Sequence, residues 1–356
     1  MADKPPQERL MGEGFALHPL EDARFGLELR LADSSIQNIL SLFTKHRQLL
    51  LDAYYSAHGL LVIRGIEGIR EQPDALVELS HHFGEEVENY RQTLTSPRFF
   101  HDSVPEILIL SNSPPCNHPP PALPRDYTPG AEPLPVDFPT QRNWHTDQSY
   151  RRPPPDSSLL LALDVPPSEQ GQTLYADCTA AYAALDASLK ERLHHLEGIH
   201  APSWVGRSRT AVEAGEPPLD LLDHQQPQRH PLVRCHPVTG ELSLYICEED
   251  QMDYVDGPIT SLGRGLDCEG AALIHQLLRH ATRPEFVYVH EWQNGDLVIG
   301  DNRNLLHCAT WFDADRYSRL MWRTTVMGNP GVEYQGEAKS WLPRDDTPIM
   351  QGMENA

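Results

Sequence analysis

The 356-residue sequence lacks the features of several large classes of protein. Basic residues are scarce, with 29 Lys and Arg against 51 Asp and Glu, and the net charge at pH 7 is −22. Nucleic acids and anionic membranes bind basic surfaces, so this balance argues against both as partners. No apolar run approaches the ~20 residues that span a bilayer. Residues 1–9 show no basic and apolar signal segment.

The six cysteines form no CxxC pair and have no regular spacing. We therefore expect free thiols and a soluble protein of the reducing cytoplasm. Hydrophobic residues make up 39% of the chain, which is enough to bury a large core without disulfides or a structural metal. The length fits one elaborated domain.

Proline, in contrast, is abundant, with 32 residues that concentrate in the stretch 114–139. This stretch has few apolar residues and predicts a long loop, which is either a lid over a site or a plain insertion. Around it we predict a flexible N-terminal segment over 1–15, a single domain over 16–330 and a C-terminal tail over 331–356.

Short apolar segments bounded by turn residues recur along the chain. They predict strands over 25–30, 59–65, 106–112, 158–163, 173–177, 286–292, 296–300 and 320–327. A Gly-containing turn at 238–241 predicts a hairpin between its flanking segments. Helical spacing predicts helices over 36–50, 73–83, 179–196 and 268–281, the first with a serine cap. Many short strands with few helices favour a sandwich or barrel that carries helices outside.

The run Asn143-Trp144-His145-Thr146-Asp147 is the first candidate site. In a strand, residues i and i+2 face the same side, so His145 and Asp147 can converge on one metal ion. A third ligand is needed, and His307 is the candidate. Two histidines and one carboxylate leave open positions, as in non-haem Fe(II) oxygenases. A lone His-x-Asp pair is also common as a hydrogen-bonded surface pair, and such ligands also suit zinc.

Five stretches in order resemble the taurine dioxygenase / dichlorophenoxyacetate dioxygenase family of Fe(II)- and 2-oxoglutarate-dependent oxygenases. The similarity covers roughly residues 15–330. The stretches are 144–147, 165–167 with 171–173, 180–185, 230–240 and 295–323.

The resemblance implies a mainly β protein with flanking helices, built on the double-stranded β-helix, the jelly-roll core also seen in cupins. It implies His145, Asp147 and His307 as iron ligands. It also implies that Thr173 and Arg319 hold the far carboxylate of the co-substrate 2-oxoglutarate. Arginine binds carboxylates through a planar charged fork, and a threonine hydroxyl can donate beside it. The alternative for Arg319 is a surface charge at a strand edge.

Three further residues match positions that contact substrate in the family. Arg323 matches the arginine that contacts the sulfonate in the taurine enzyme; its alternative is a structural salt bridge. Asn89 and Tyr90 fall in a stretch where the taurine enzyme's own pattern is not reproduced, so taurine is not implied. The acidic stretch 247–253 is either a solvated loop or a region that steers cationic substrates.

These implications predict an enzyme that uses Fe(II), O2 and 2-oxoglutarate to hydroxylate an aliphatic C–H of a small, anionic or amino-acid-like molecule, with release of succinate and CO2. A homo-oligomer is possible, since relatives are often dimers or tetramers. The rival is a non-oxidative cupin-like metal-binding protein or a zinc hydrolase on the same scaffold. Such a protein needs the metal ligands but has no use for the carboxylate clamp of Thr173 and Arg319.

Overall fold

The computed structural model of the chain describes residues 10–12, 14–93, 95–122, 143–167, 169–248 and 250–342. Within these residues the chain forms sixteen β-strands and six α-helices. The strands are β1 (Leu10–Gly12), β2 (Phe15–Pro19), β3 (Leu27–Leu31), β4 (Leu60–Ile63), β5 (Glu86–Val87), β6 (Leu108–Ser111), β7 (Ser157–Asp164), β8 (Thr173–Asp177), β9 (Glu197–His200), β10 (Gln228–Pro231), β11 (Val233–Cys235), β12 (Leu242–Leu244), β13 (Val287–His290), β14 (Leu297–Asp301), β15 (Leu305–Ala309) and β16 (Leu320–Met327). The helices are α1 (Ile36–Ser56), α2 (Asp74–Ser80), α3 (Cys178–Ala183), α4 (Ala187–Leu193), α5 (Arg209–Glu213) and α6 (Glu269–Ala281).

Two sheets form the centre of the molecule. The larger has the order β1-β2-β3-β4-β14-β7-β16-β5, and β6 also pairs with β16. The smaller has the order β13-β8-β15. Every pairing in them is antiparallel except β3 with β4. The strands β9 and β10, and the predicted hairpin β11 and β12, form separate pairs.

Side chains alternate between the two faces of each sheet and so build three cores. Leu159 and Leu161 of β7 pack in one core with α1 and α2. Ala162, on the other face of β7, packs between the two sheets with Tyr175 of β8. Leu174 and Ala176 of β8 pack against α3 and α6. Each fully buried leucine contributes about 1.5–3 kcal/mol relative to an exposed one. Helices therefore cover the outer faces of two facing sheets, as predicted.

The predicted helix 179–196 is wrong as a single element, because α3 ends at Ala183 and α4 begins at Ala187. The extended backbone of Asp186 lies between them, and its Oδ1 accepts a hydrogen bond from the Leu189 backbone N–H at 2.8 Å. An aspartate in this position stabilises a new helix start in place of continuation. By contrast, the predicted serine cap of α1 makes no side-chain hydrogen bond at Ser35.

Described residues of both predicted terminal segments belong to the folded domain. Strand β1 pairs with β2 in the register Gly12↔Phe15, and Phe15 lies in the core. Of the predicted C-terminal tail, Tyr334 and Trp341 are buried against the domain. Residues 123–142, which include most of the proline-rich stretch, lie outside the described residues, as do 1–9 and 343–356. The lid stays a prediction.

Two other sequence expectations can be compared with the described residues. All six cysteines are free thiols, as predicted. No helix in these parts of the chain combines the length and the apolar character that a membrane span requires.

Two histidines on the paired strands β9 and β10 are fully buried. The rings of His200 and His230 lie 5.2 Å apart. Nδ1 of His200 is 2.9 Å from the Ser149 hydroxyl, and Nδ1 of His230 is 2.7 Å from the Tyr334 hydroxyl. Burial, together with the nearby Arg234 charge, lowers the pKa of His200 to about 3. Burial likewise holds the pKa of His230 well below its usual value.

We expect the free energy of unfolding to fall as the pH decreases from about 6.5, the pKa of histidine in an unfolded chain. Below that pH the unfolded chain binds a proton at His200 and the folded protein does not, which gives a slope of about 1.4 kcal/mol per pH unit for each such proton. Urea unfolding at several pH values measures it. His200→Gln should reduce the slope, whereas His275→Gln, at an exposed position on α6, should not. Equal slopes in wild type and His200→Gln would contradict the expectation.

Candidate metal centre and active site

Backbone hydrogen bonds bring the two halves of the site together. The His145 N–H donates to the His307 carbonyl at 2.9 Å, and the His307 N–H donates to the His145 carbonyl at 2.7 Å. The loop is held on its other side as well, because the Trp144 N–H donates to a carboxylate oxygen of Glu248 at 2.6 Å. Asp147 follows two residues after His145. The pairing places all three candidate ligands at one point between the sheets.

The ligand atoms of His145, Asp147 and His307 all lie within 4.8 Å of one another. Oδ1 of Asp147 is 3.9 Å from Nε2 of His145 and 3.8 Å from Nε2 of His307. Two imidazole nitrogens and one carboxylate oxygen on one side leave coordination positions open toward the cavity. This donor set suits Fe(II) and also accepts zinc. The site fits a divalent metal ion.

Neighbouring groups fix the orientation of these ligands. Nδ1 of His145 lies 2.5 Å from the Asn143 carbonyl oxygen. A carbonyl only accepts, so Nδ1 carries the proton and Nε2 keeps its lone pair for a metal. Oδ2 of Asp147 accepts a hydrogen bond from the Ser158 hydroxyl at 2.6 Å, and Oδ1 accepts one from Arg323 at 2.5 Å. Ser158 in turn accepts a hydrogen bond from Asn302 at 3.1 Å.

The charges at the site favour the protonation states that metal binding requires. Burial acts to raise the pKa of Asp147, but Arg323 and the two histidines outweigh it and hold this pKa well below its usual range. Burial, with a contribution from His145, lowers the pKa of His307 to about 3. The aspartate is therefore ionised and His307 is neutral at physiological pH.

Thr173 and Arg319 lie in the same cavity as the metal ligands. The hydroxyl of Thr173 accepts a hydrogen bond from the Trp292 indole N–H at 2.9 Å, which leaves its own proton free to donate. Burial lowers the pKa of Arg319 to about 10, so it remains charged at neutral pH. Its Nε is buried without a hydrogen-bond partner in the described parts of the chain. A charged group in this state beside a hydroxyl donor fits a carboxylate ligand.

The cavity that joins these groups, the metal cavity, has a volume of about 550 Å³. Gly300 lies in its wall, and a Cβ there would meet Tyr175 at 3.6 Å and Leu305 at 3.7 Å. The absence of a side chain at Gly300 thus leaves space beside Tyr175, whose ring stacks on His307 at 5.9 Å. Described residues 118–122 of the proline-rich stretch also line this cavity.

The acidic stretch and the turn before His307 also lie near the site. Glu248 and Asp250, from the acidic stretch, line the metal cavity. Asp301 lies near the site but contacts Arg303 and His236, so it organises the turn before His307 and does not touch the imidazole.

Arg323 is the one predicted substrate residue that reaches the metal ligands. It forms the predicted alternative, a salt bridge, with Asp147, and it also lines the metal cavity. Tyr90 is buried, and its hydroxyl lies 2.9 Å from that of Thr325. The amide of Asn89 donates to Glu106 at 2.7 Å, and Asn89 lines neither of the cavities described here. Substrate contacts by Asn89 and Tyr90 stay predictions.

A second cavity of about 240 Å³, the aromatic cavity, adjoins the first and shares Arg323 with it. Its wall contains several aromatic and polar residues that the sequence analysis did not select: Phe99, Gln148, Tyr150, Arg151, Trp204, His224 and Trp341. Gln148, Tyr150 and Arg151 directly follow the ligand motif in the sequence. Their position beside the motif could have indicated that they line the site. The others come from distant stretches that give no local signal.

Two facing sheets with three candidate metal ligands between them define a jelly-roll protein whose candidate metal site opens into a cavity of about 550 Å³. The chain belongs to the family described as "Taurine catabolism dioxygenase TauD, TfdA family", which matches residues 17–325. The family predicted from the sequence motifs is thereby confirmed.

Two curated relatives are each 36% identical to the chain over the matched stretch. One is the (S)-phenoxypropionate/alpha-ketoglutarate-dioxygenase of Sphingobium herbicidovorans, with 53% of this chain and 63% of that protein covered. The other is the alpha-ketoglutarate-dependent 2,4-dichlorophenoxyacetate dioxygenase of Cupriavidus pinatubonensis, with 51% and 59% covered. The chain spans a little less than two thirds of the length of these relatives.

Solved structures confirm the predicted fold. The chain is similar to AAD-2 in complex with Mn(II) and N-oxalylglycine, with a TM-score of 0.62, 26% identity, and coverage of 88% of this chain and 98% of that one. It is also similar to a taurine dioxygenase from Burkholderia xenovorans, with a TM-score of 0.61, 26% identity, and coverage of 89% and 90%.

We expect Ser158→Ala to weaken metal binding by about tenfold or more, the usual effect of removing a hydrogen bond that orients a ligand. The change frees Oδ2 of Asp147 and leaves the three ligands in place. Calorimetric titration with Co(II) or Mn(II) measures the affinity. The neighbouring Ser157→Ala is the matched control, because Ser157 is also buried on β7 but contacts Tyr54. Equal affinities in the two variants would show that this hydrogen bond does not orient Asp147.

Proposed function

We propose that the protein is an Fe(II)- and 2-oxoglutarate-dependent dioxygenase that hydroxylates an aliphatic C–H of a small organic anion. The observation that carries the proposal is the presence, in one cavity, of the ligands His145, Asp147 and His307 together with the unpartnered buried Nε of Arg319 beside Thr173. A zinc hydrolase would use the metal ligands but not this clamp. The names of the relatives, which include alpha-ketoglutarate dioxygenases, support the same reading.

In the proposed reaction, substrate, O2 and 2-oxoglutarate give hydroxylated substrate, succinate and CO2. When bound, Fe(II) supplies the redox centre at which O2 is reduced and the keto acid is decarboxylated. Arg319 and Thr173 hold the far carboxylate and thereby direct the keto acid end toward the three ligands. Ser158 and Arg323 keep Asp147 ionised and oriented. Apolar wall residues such as Leu160 exclude water from the reacting groups.

The arrangement of Arg323 and the aromatic cavity supports an anionic substrate with an apolar body. Arg323 lines both cavities, so an anion bound to it lies close to the metal ligands. Beyond it, the aromatic cavity offers rings that can pack against an apolar group. The relatives named above act on phenoxypropionate and 2,4-dichlorophenoxyacetate, which are aryl ethers with one carboxylate. We propose a substrate of this general chemistry, with amino-acid-like anions as a second class.

The composition supports proposals about binding partners and cellular location. The net charge of −22 supports a small-molecule substrate, without nucleic acid or an anionic membrane as partner. Six free thiols support a cytoplasmic location. A homo-oligomer also stays part of the proposal.

The function is tested by adding Fe(II) and 2-oxoglutarate to the protein without oxygen and recording the weak visible charge-transfer band. Oxygen is then admitted, and succinate is measured with a panel of aryloxyalkanoates, arylalkanoates, alkyl sulfates and amino acids. We expect the band in all samples and stimulated succinate release with at least one anion. A well-folded protein that shows no band would contradict the oxygenase proposal.

We expect Arg319→Met to weaken 2-oxoglutarate binding about 10- to 100-fold, because hydrogen bonds to charged groups contribute about 1.5–3 kcal/mol. Titration of the band measures this affinity, and calorimetry with Mn(II) should show unchanged metal binding. Arg316→Met is the control, because Arg316 is exposed on the same stretch. Unchanged 2-oxoglutarate affinity in Arg319→Met would assign the clamp to other residues.

A further inference from the structure

The aromatic cavity is surrounded by polar atoms that lack partners. Oε1 of Gln148, Nε of Arg151, Nε of Arg323 and both ring nitrogens of His224 are buried and make no hydrogen bond to the described residues. All four side chains line this one cavity. Each unpaired buried polar group costs about 1–3 kcal/mol. Their convergence on a single space indicates a cavity built for a polar ligand and not an accidental void.

A buried carboxylate sets the charge in the wall of this cavity. Glu88 is only 1% exposed. One of its oxygens pairs with the guanidinium of Arg151, and the other accepts a hydrogen bond from Gln148 at 3.1 Å. Arg151 also stacks on the ring of Trp341 at 4.9 Å. Glu88 therefore neutralises the charge of Arg151. The Nε of Arg151 can still donate a hydrogen bond, but the Glu88–Arg151 pair carries no net charge.

With the co-substrate present, most charges around the two cavities are offset. The two charges of Fe(II) balance those of 2-oxoglutarate, Glu88 balances Arg151, and the single charge of Asp147, which pairs with Arg323, offsets only one of the two arginines Arg319 and Arg323. Burial lowers the pKa of His224 below its ordinary value, which disfavours a charge on its ring. Glu248 and Asp250 line the metal cavity and not the aromatic cavity. One positive charge therefore remains among these groups, and Arg323 is the one of the two arginines that lines the aromatic cavity.

We infer that Glu88, by neutralising Arg151, makes the aromatic cavity select substrates with one negative charge over substrates with two. The inference rests on the proposed function and adds a specificity determinant to it. Glu88 acts through Arg151 and Gln148, so it is a positioning residue. A second negative charge on the ligand would be buried opposite Glu88 without a cation to pair with it, which is unfavourable.

The test compares two probes of the same shape and different charge, phenylmethanesulfonate and benzylphosphonate, at a pH where the phosphonate is doubly ionised. Binding to protein loaded with Mn(II) and 2-oxoglutarate is measured by calorimetry. We expect wild type to bind the sulfonate at least about tenfold more tightly. Glu88→Gln frees the charge of Arg151 and should reduce or reverse that preference by about tenfold. The double variant Glu88→Gln/Arg151→Gln removes both charges and should restore the wild-type preference.

Each alternative outcome is informative. Equal affinity of wild type for both probes, or an unchanged preference in a folded Glu88→Gln variant, would overturn the inference. If Glu88→Gln does not fold, Arg151→Gln replaces it. That variant leaves Glu88 unpaired, and should weaken binding of both anions, the phosphonate more strongly; equal weakening would overturn the inference.

Failure of both probes to bind wild type that shows the charge-transfer band also overturns the inference and leaves the proposed function standing. Absence of the band counts against the proposed function itself.

Discussion

The reciprocal backbone pairing of His145 with His307 is the contact on which the metal centre depends. It joins a loop to strand β15 by two short hydrogen bonds, and it fixes the separation of the two imidazole rings at 4.3 Å between centroids. A backbone contact of this kind is independent of the side chains that it positions. The scaffold can therefore hold the ligands in place before any metal binds, which lowers the ordering cost of binding.

Buried charge in this protein is almost always matched to a specific partner. Asp147 pairs with Arg323, Glu88 with Arg151, and Asp301 with Arg303. Such pairs are costly to break because the remaining charge stays buried. Arg319 departs from this pattern: no acidic side chain of the described residues forms an ion pair with it. Its buried Nε therefore remains available to a carboxylate, as the proposed function requires.

The grouping of His145, Asp147 and His307, with Thr173 and Arg319 in the same cavity, could be predicted from the sequence because short motifs in a fixed order carry these residues. The strands were also predictable, since short apolar runs with flanking glycines are local signals, as in β4 and β14. The break between α3 and α4 depends on one capping aspartate, Asp186, inside an otherwise helical pattern. Hydrophobic periodicity does not detect such a capping residue. The wall of the aromatic cavity was predictable only in part, through Arg323 and through the residues that directly follow the ligand motif. Glu88 and Arg151 meet only after folding, and nothing near either residue indicates the other.

Arg323 can couple the binding of a metal ion to the binding of a substrate anion. In the structure its guanidinium holds Oδ1 of Asp147, and the same side chain lines the cavity where a substrate anion would bind. An anion bound to this guanidinium changes the affinity of Asp147 for a metal ion. A metal ion bound to Asp147 in turn changes the affinity of the guanidinium for an anion. Such a coupling is reciprocal by thermodynamic necessity. If metal and substrate bind as proposed, each changes the affinity for the other by the same factor, and one side chain couples the two sites.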